Sequence, residues 1–249
     1  MKRIRALLLC ICCVLPLLGC AKEPEAVVID VTGASAARPA EAGETQAPAS
    51  KGSPKAEIKD TVAYTFKGAE GPVLYGALAY ENIGSAPLTL TKATFNFALE
   101  GKTEEVEFTP IFADQTVILP GETGYAALWY PLADIEPGAD VRLSASLQWQ
   151  AAAEARIPIE VQNLRLAHNY PGFTTMAGVL TAAADCPCNL IYTAFYDENE
   201  SLLGVWYFTE NAHLVSAEPK AFTSHLKDFP LADLAERTAQ IRTFGVGME

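Results

Sequence analysis

Two thiols one residue apart are the sharpest chemical feature of the folded part of the chain. Cys186-Pro187-Cys188 lies in the polar run Asp185-Cys186-Pro187-Cys188-Asn189, between two stretches of strand character. Such a pair can close a tight disulfide, remain as two thiols, hold a soft metal such as Cu(I) or Zn(II), or work as a redox couple. Cysteines two positions apart sit near the edge of the Cα separation that a disulfide spans, so the bond would be easily reduced. Zinc asks for four ligands. His168, His213 and His225 are the three histidines of the chain, and none is near the pair in sequence. The metal state of the pair is therefore left open, and no cofactor is assigned.

The remaining catalytic inventory is thin. There is no His-Glu-x-x-His pair and no Gly-x-Ser-x-Gly elbow. The neighbours Ser224 and His225 do not define a triad, which exists only in space. No catalytic residue is assigned, and a non-enzymatic protein is expected. Asp197-Glu198-Asn199-Glu200 presents oxygen ligands suited to calcium but lacks the EF-hand spacing, so it reads as a solvated hairpin turn. Glu104, Glu105 and Glu107 read as a solvated face in the same way. Trp129-Tyr130 and Trp206-Tyr207-Phe208 carry the side chains of an aromatic platform for a glycan or a protein partner. Aromatics at strand spacing more often fill cores, and that reading is favoured.

The N-terminus places these residues in the cell. Lys2, Arg3 and Arg5 precede an apolar stretch from Ala6 to Leu18, the length of a signal-peptide core and too short for a comfortable membrane span. It ends in Leu17-Leu18-Gly19-Cys20, which resembles a bacterial lipobox. The resemblance implies removal of residues 1–19 and a lipid on Cys20, holding the protein to a bacterial membrane outside the cytoplasm, at the cell surface or in the periplasm. Cys10, Cys12 and Cys13 leave with the leader. The mature part keeps 15 basic against 30 acidic residues, a formal charge of −15. That balance argues against binding nucleic acid, which needs a basic surface.

Residues 20–56 are expected to form a flexible tether. The stretch from Thr32 to Ala56 is mostly Ala, Pro, Gly, Ser and Glu and cannot bury enough apolar surface to offset ordering entropy. Val27-Val28-Ile29-Asp30-Val31 is a small β-prone exception. As a coil the tether spans roughly 30–35 Å.

The rest is repetitive. Tyr130-Pro131-Leu132-Ala133-Asp134-Ile135 returns as Phe229-Pro230-Leu231-Ala232-Asp233-Leu234, 99 residues on, and Gly76 and Leu88 find counterparts in Gly178 and Leu190, 102 residues on. Ordered matches at near-equal offsets suggest a duplication, with one copy over 57–155 and the other over 156–249. The period within each copy is two. Val141, Leu143, Ala145, Leu147 and Trp149 alternate with polar residues, Ile157, Ile159 and Val161 alternate similarly, and Leu74, Gly76, Leu78 and Tyr80 share one face of a strand. Turn clusters such as Asn82-Ile83-Gly84-Ser85 and Glu136-Pro137-Gly138 separate the runs. This predicts an all-β fold of two tandem immunoglobulin-like sandwiches, with each Pro-Leu-Ala-Asp segment a short helical turn in a crossover between sheets.

The second copy also resembles the FxLYD-type domain of bacterial surface lipoproteins. Thr193-Ala194-Phe195-Tyr196-Asp197 occupies the signature positions; Tyr196 and Asp197 match, Phe195 stands for the Leu, and Thr193 stands for the Phe. The first copy has Phe95-Asn96-Phe97 there and lacks the Tyr-Asp pair. The resemblance covers about 157–249 and implies an immunoglobulin-like sandwich outside the membrane, without a known activity. The expected role is thus non-enzymatic binding or support at the envelope, with a membrane contact through Cys20 and an envelope protein or glycan as partner. The alternative is a metal-handling or thiol-redox lipoprotein acting through Cys186 and Cys188.

Overall fold

The computed structural model describes residues 27–28, 52–153, 155–169, 173–210 and 213–248. The expected leader and Cys20 lie outside them, as does most of the expected tether. In chain order the elements are β1 (Val27–Val28), β2 (Ala56–Gly68), β3 (Gly71–Asn82), β4 (Leu88–Leu99), β5 (Lys102–Phe108), β6 (Thr123–Pro131), β7 (Val141–Ala151), β8 (Ile157–Asn169), β9 (Phe173–Ala182), β10 (Cys188–Tyr196), β11 (Leu202–Phe208), β12 (Lys220–Leu226), α1 (Leu234–Arg237) and β13 (Gln240–Met248). The fold is all-β and every ladder between these strands is antiparallel.

The two halves are wired alike. In the first, β2-β3-β6 forms one sheet and β5-β4-β7 the other. In the second, the order β8-β9-β12 and β11-β10-β13 repeats that pattern strand for strand, and a short β8–β13 ladder through Val246–Pro158 and Gly247–Ile157 joins the two sheets at one corner. Gly76 and Gly178 fall in the equivalent strands β3 and β9. A Cβ on Gly76 would meet the rings of Phe95 and Phe97 at 2.7–2.8 Å, so the missing side chain is what lets that aromatic pair seat against β3. Each Pro-Leu-Ala-Asp segment does sit in a crossover between sheets. Only the second leads into a helix, the single turn α1; the first remains a pair of turns. Both crossovers bury an aliphatic residue, Ile135 or Leu234, into the core they cross.

The sheets stack in four layers. One core fills the first half between its two sheets, built on Leu74, Leu78, Phe95 and Phe97. Another fills the second half, built on Ile159, Val161, Leu180, Phe195 and Phe222. The third lies between the halves. Tyr75, Ala77 and Ala79 of β3 with Tyr125 and Ala127 of β6 pack against Leu190, Tyr192, Ala194 and Tyr196 of β10, Val205 of β11 and Val246 of β13. The inner sheets are therefore buried on both faces. The outer strands are not: β7 alternates between half-buried and exposed residues along most of its length, as its sequence period predicts.

Residue 156 clamps the link between the halves. Arg156 pairs bidentately with Glu122, one Nη1–Oε2 contact being 2.6 Å, and also donates to the Val117 carbonyl at 2.9 Å. Its guanidinium lies 5.5 Å from the centroid of Phe244. Val27 and Val28 belong to the β-prone exception within the expected coil. They pair with Leu166 and Arg165 as an added strand on β8.

Candidate functional site

The free edge of β11 shows how the halves are joined. Every second residue of an edge strand turns its N–H and C=O outward, where they need partners. Here side chains of the first half supply them. Asp60 Oδ2 accepts from Leu202 N–H at 2.7 Å, and Tyr64 donates to the Leu203 carbonyl at 3.1 Å. The Tyr75 hydroxyl donates to the Val205 carbonyl at 2.8 Å and accepts from Val205 N–H at 2.6 Å, so one phenol does the work of a neighbouring strand. Burial pushes the Tyr75 hydroxyl far above the usual tyrosine range, which keeps it a donor. Gly204 makes the approach possible: a Cβ there would lie 2.6 Å from Phe229 Cζ and 3.1 Å from the Tyr75 oxygen.

Where this joint reaches the surface it opens into a cleft of about 660 Å³. The β2–β3 hairpin contributes Gly68 to Val73, the end of β6 and the turn after it contribute Trp129, Pro131, Leu132 and Ala133, β11 contributes Trp206 and Tyr207, and the chain after β12 contributes Lys227 and Asp228. The aromatic rings are fixed. Trp129 meets Trp206 at 5.5 Å and 87°, Tyr207 at 5.5 Å and 73°, and Tyr75 at 4.9 Å and 64°, all edge-to-face. Trp129 Nε1 donates to the Asp228 carbonyl at 3.0 Å and Trp206 Nε1 donates to Ser224 Oγ at 3.0 Å. Asp228 has a positive φ of 55°, a conformation that aspartate tolerates better than most residues. It points its carbonyl at Trp129 while Oδ1 accepts from Ala69 N–H at 2.9 Å. Glu70, Lys227 and Asp228 are exposed around the rim.

The thiols face different surroundings. Cys186 is buried, trades both backbone hydrogen bonds with Leu214 at 2.9 and 3.0 Å, and lays its sulfur against Gly247. Burial raises its pKa, with the Asp185 carboxylate adding to the effect. Cys188 is exposed at the start of β10, opposite Met248, and both cysteines are free thiols. His225 lies on β12, with Nδ1 3.3 Å from Thr175 Oγ1 and its ring against Phe173; His168 is on β8 and His213 is exposed beside Leu214. Among the described residues, no three His, Cys, Asp or Glu side chains gather as a metal site.

The signature residues of the second half are placed structurally. Phe195 enters the core of its own half, and Tyr196, one position on, enters the core between the halves. Arg242 lies 4.5 Å over the Tyr196 ring, and Tyr196 and Tyr125 both belong to the core between the halves. Asp197 Oδ1 accepts from Asn199 N–H at 2.8 Å and Ser201 N–H at 2.9 Å, which closes the β10–β11 turn and lowers its pKa. Its carboxylate is thus engaged within its own loop.

Trp129, Trp206 and Tyr207 were legible as aromatic candidates. Their convergence was not, since they come from strands about 80 residues apart. Glu70, Lys227 and Asp228 carried no signal at all. Comparison of the chain with protein-family models and with curated protein sequences finds no match.

Proposed function

We propose that this is a lipid-anchored protein held outside the cytoplasm through Cys20, with a non-enzymatic role in binding at the cell envelope. The observation that carries the binding role is the cleft at the joint: three partly exposed aromatic rings, held against one another, with both tryptophans also fixed by their indole hydrogen bonds. Binding surfaces favour such residues because large, rigid side chains lose little entropy on contact. The repeated strand order of the halves supports a duplicated immunoglobulin-like unit, the second copy being FxLYD-like. The residues with strongly raised pKa values are core tyrosines, whose burial makes them weaker acids and poor proton-transfer groups. The thiol alternative has less support, because Cys186 is committed to the core and Cys188 to the surface.

Two measurements test the proposal. Metabolic labelling with tritiated palmitate should mark the wild-type chain and leave Cys20→Ser unlabelled and released from membranes; label on Cys20→Ser would remove the anchor. The mature chain without lipid should then sediment saturably with washed envelopes. Absence of saturable sedimentation would end the binding reading. Alkylation followed by intact mass measurement of metal-exposed protein addresses the thiol alternative: two alkylated cysteines with no retained metal is the expected result.

A further inference from the structure

We infer that the cleft at the joint between the halves is a carbohydrate-binding site that takes a short, hydroxyl-rich glycan with one sugar ring against Trp206 and Trp129. The inference rests on the binding role proposed above and gives it a ligand class.

A sugar ring is amphipathic in a specific way. One or both of its faces present C–H groups, which are drawn to the negative face of an aromatic ring, while its perimeter carries hydroxyls. The cleft has the complementary layout. Its floor is made of indole rings and proline, and its rim carries Glu70, Lys227 and Asp228, all exposed. The carboxylates can accept from hydroxyls and the ammonium can donate to them. The indole N–H groups are bound to Asp228 and Ser224 within the protein, so what the two half-buried tryptophans offer a ligand is apolar ring surface and not a polar edge. These bonds also fix the rings before a ligand arrives, which lowers the entropy cost of stacking.

Other occupants fit less well. An acyl chain would cover the three charged groups of the rim without giving them a partner, at a desolvation cost. An extended peptide gains much of its affinity by pairing with a strand edge. The β11 edge beside the cleft already spends its Leu202, Leu203 and Val205 groups on Asp60, Tyr64 and Tyr75. The volume of about 660 Å³ falls in the range of small-ligand sites and suits an oligosaccharide rather than a polymer surface.

Intrinsic fluorescence provides the test. The chain has three tryptophans, and the third, Trp149, lies on the outer strand β7 with its indole bonded to the Pro54 carbonyl at 3.2 Å. In a Trp149→Phe background the emission reports on the cleft alone. The mature chain is titrated with the tetramer of N-acetylglucosamine, with cellotetraose and with maltotetraose. At least one should change the emission saturably, with a Kd between about 10 μM and 1 mM. Trp206→Ala should weaken that binding at least tenfold. Because Trp206→Ala could loosen the joint, Glu70→Gln and Lys227→Ala are measured beside it. Both are surface changes that leave the fold intact, and each should weaken binding about threefold. The inference is overturned if no tetrasaccharide binds up to about 10 mM, if the three variants keep wild-type affinity, or if a peptide rather than a sugar occupies the cleft. Envelope sedimentation separates the two levels: a chain that still sediments saturably while ignoring all three sugars keeps its binding role and loses this ligand class.

Discussion

Strands β3 and β7 belong to the same half of the molecule and have lengths of 12 and 11 residues, yet they are built on different rules. In β7 the apolar residues alternate with Arg142, Ser144, Ser146 and Gln148, and only one face is covered. In β3 the run Val73-Leu74-Tyr75-Gly76-Ala77-Leu78-Ala79-Tyr80 has no polar position, and everything from Leu74 to Tyr80 is buried. The even positions fill the core of the first half and the odd ones the core between the halves. β10 repeats the arrangement from the other side, sending Ile191 and Phe195 one way and Tyr192, Ala194 and Tyr196 the other. A strand with a second apolar face is therefore a statement about a second layer. Here that layer is the other half of the same chain.

The comparison can be broken most severely by placing one charge on the second face. Ala77→Asp puts a carboxylate with no cationic partner between the halves, and a loss of about 5 kcal/mol or more is expected, read as failure to fold or a collapse of the urea midpoint. The joint itself should respond next. Tyr75→Phe leaves the Val205 N–H and C=O without a partner, and Gly204→Ala drives a methyl into Phe229. Each should cost about 2 kcal/mol by chemical denaturation. The two together should cost less than their sum, because they loosen the same contact.

Alkali should act on the inner layers in particular. Burial raises the pKa of Tyr64, Tyr75, Tyr80, Tyr125, Tyr192, Tyr196 and Tyr207 above the ordinary value of 10.0. A raised folded-state value means that the unfolded chain loses protons first as pH climbs. The stabilisation is complete below about pH 10 and falls beyond it, so a cooperative alkaline unfolding is expected there. Tyr80→Phe removes one of these groups and should move the midpoint to higher pH in a spectrophotometric titration. The smallest effect is expected on the outer face: Ser144→Asp is the same introduction of charge on β7 and should change stability by no more than about 0.5 kcal/mol. A large loss there would mean that the outer sheet is covered in solution.

Much of the fold was legible because local chemistry decides it. The alternation of β7 and of Ile157, Ile159 and Val161 named their buried faces correctly, and the acidic run at Asp197 is the hairpin turn its residue types describe. The equal wiring of the halves follows the sequence matches at Gly76 with Gly178 and at the two Pro-Leu-Ala-Asp crossovers. Leu88 and Leu190 show where such matching stops. Both are buried, but Leu88 faces the core of its own half and Leu190 faces the core between the halves, because strand period relates a residue to its neighbours and not to a distant sheet.

By itself the sequence determined the all-β class, the strands around Leu74–Tyr80, Val141–Trp149 and Ile157–Val161 and the turns between several runs, since side-chain polarity and the two-residue period act over a few positions. Tertiary structure alone decided what those residues met. It turned the second face of β3, β6 and β10 into a shared core, made Tyr75 the partner of an edge 130 residues away, sent Cys186 and Cys188 into different environments, and gathered Trp129, Trp206, Lys227 and Asp228 into one cleft. Those contacts depend on how whole sheets stack, and the free energy of stacking is spread over so many residues that no short segment carries a signal of it.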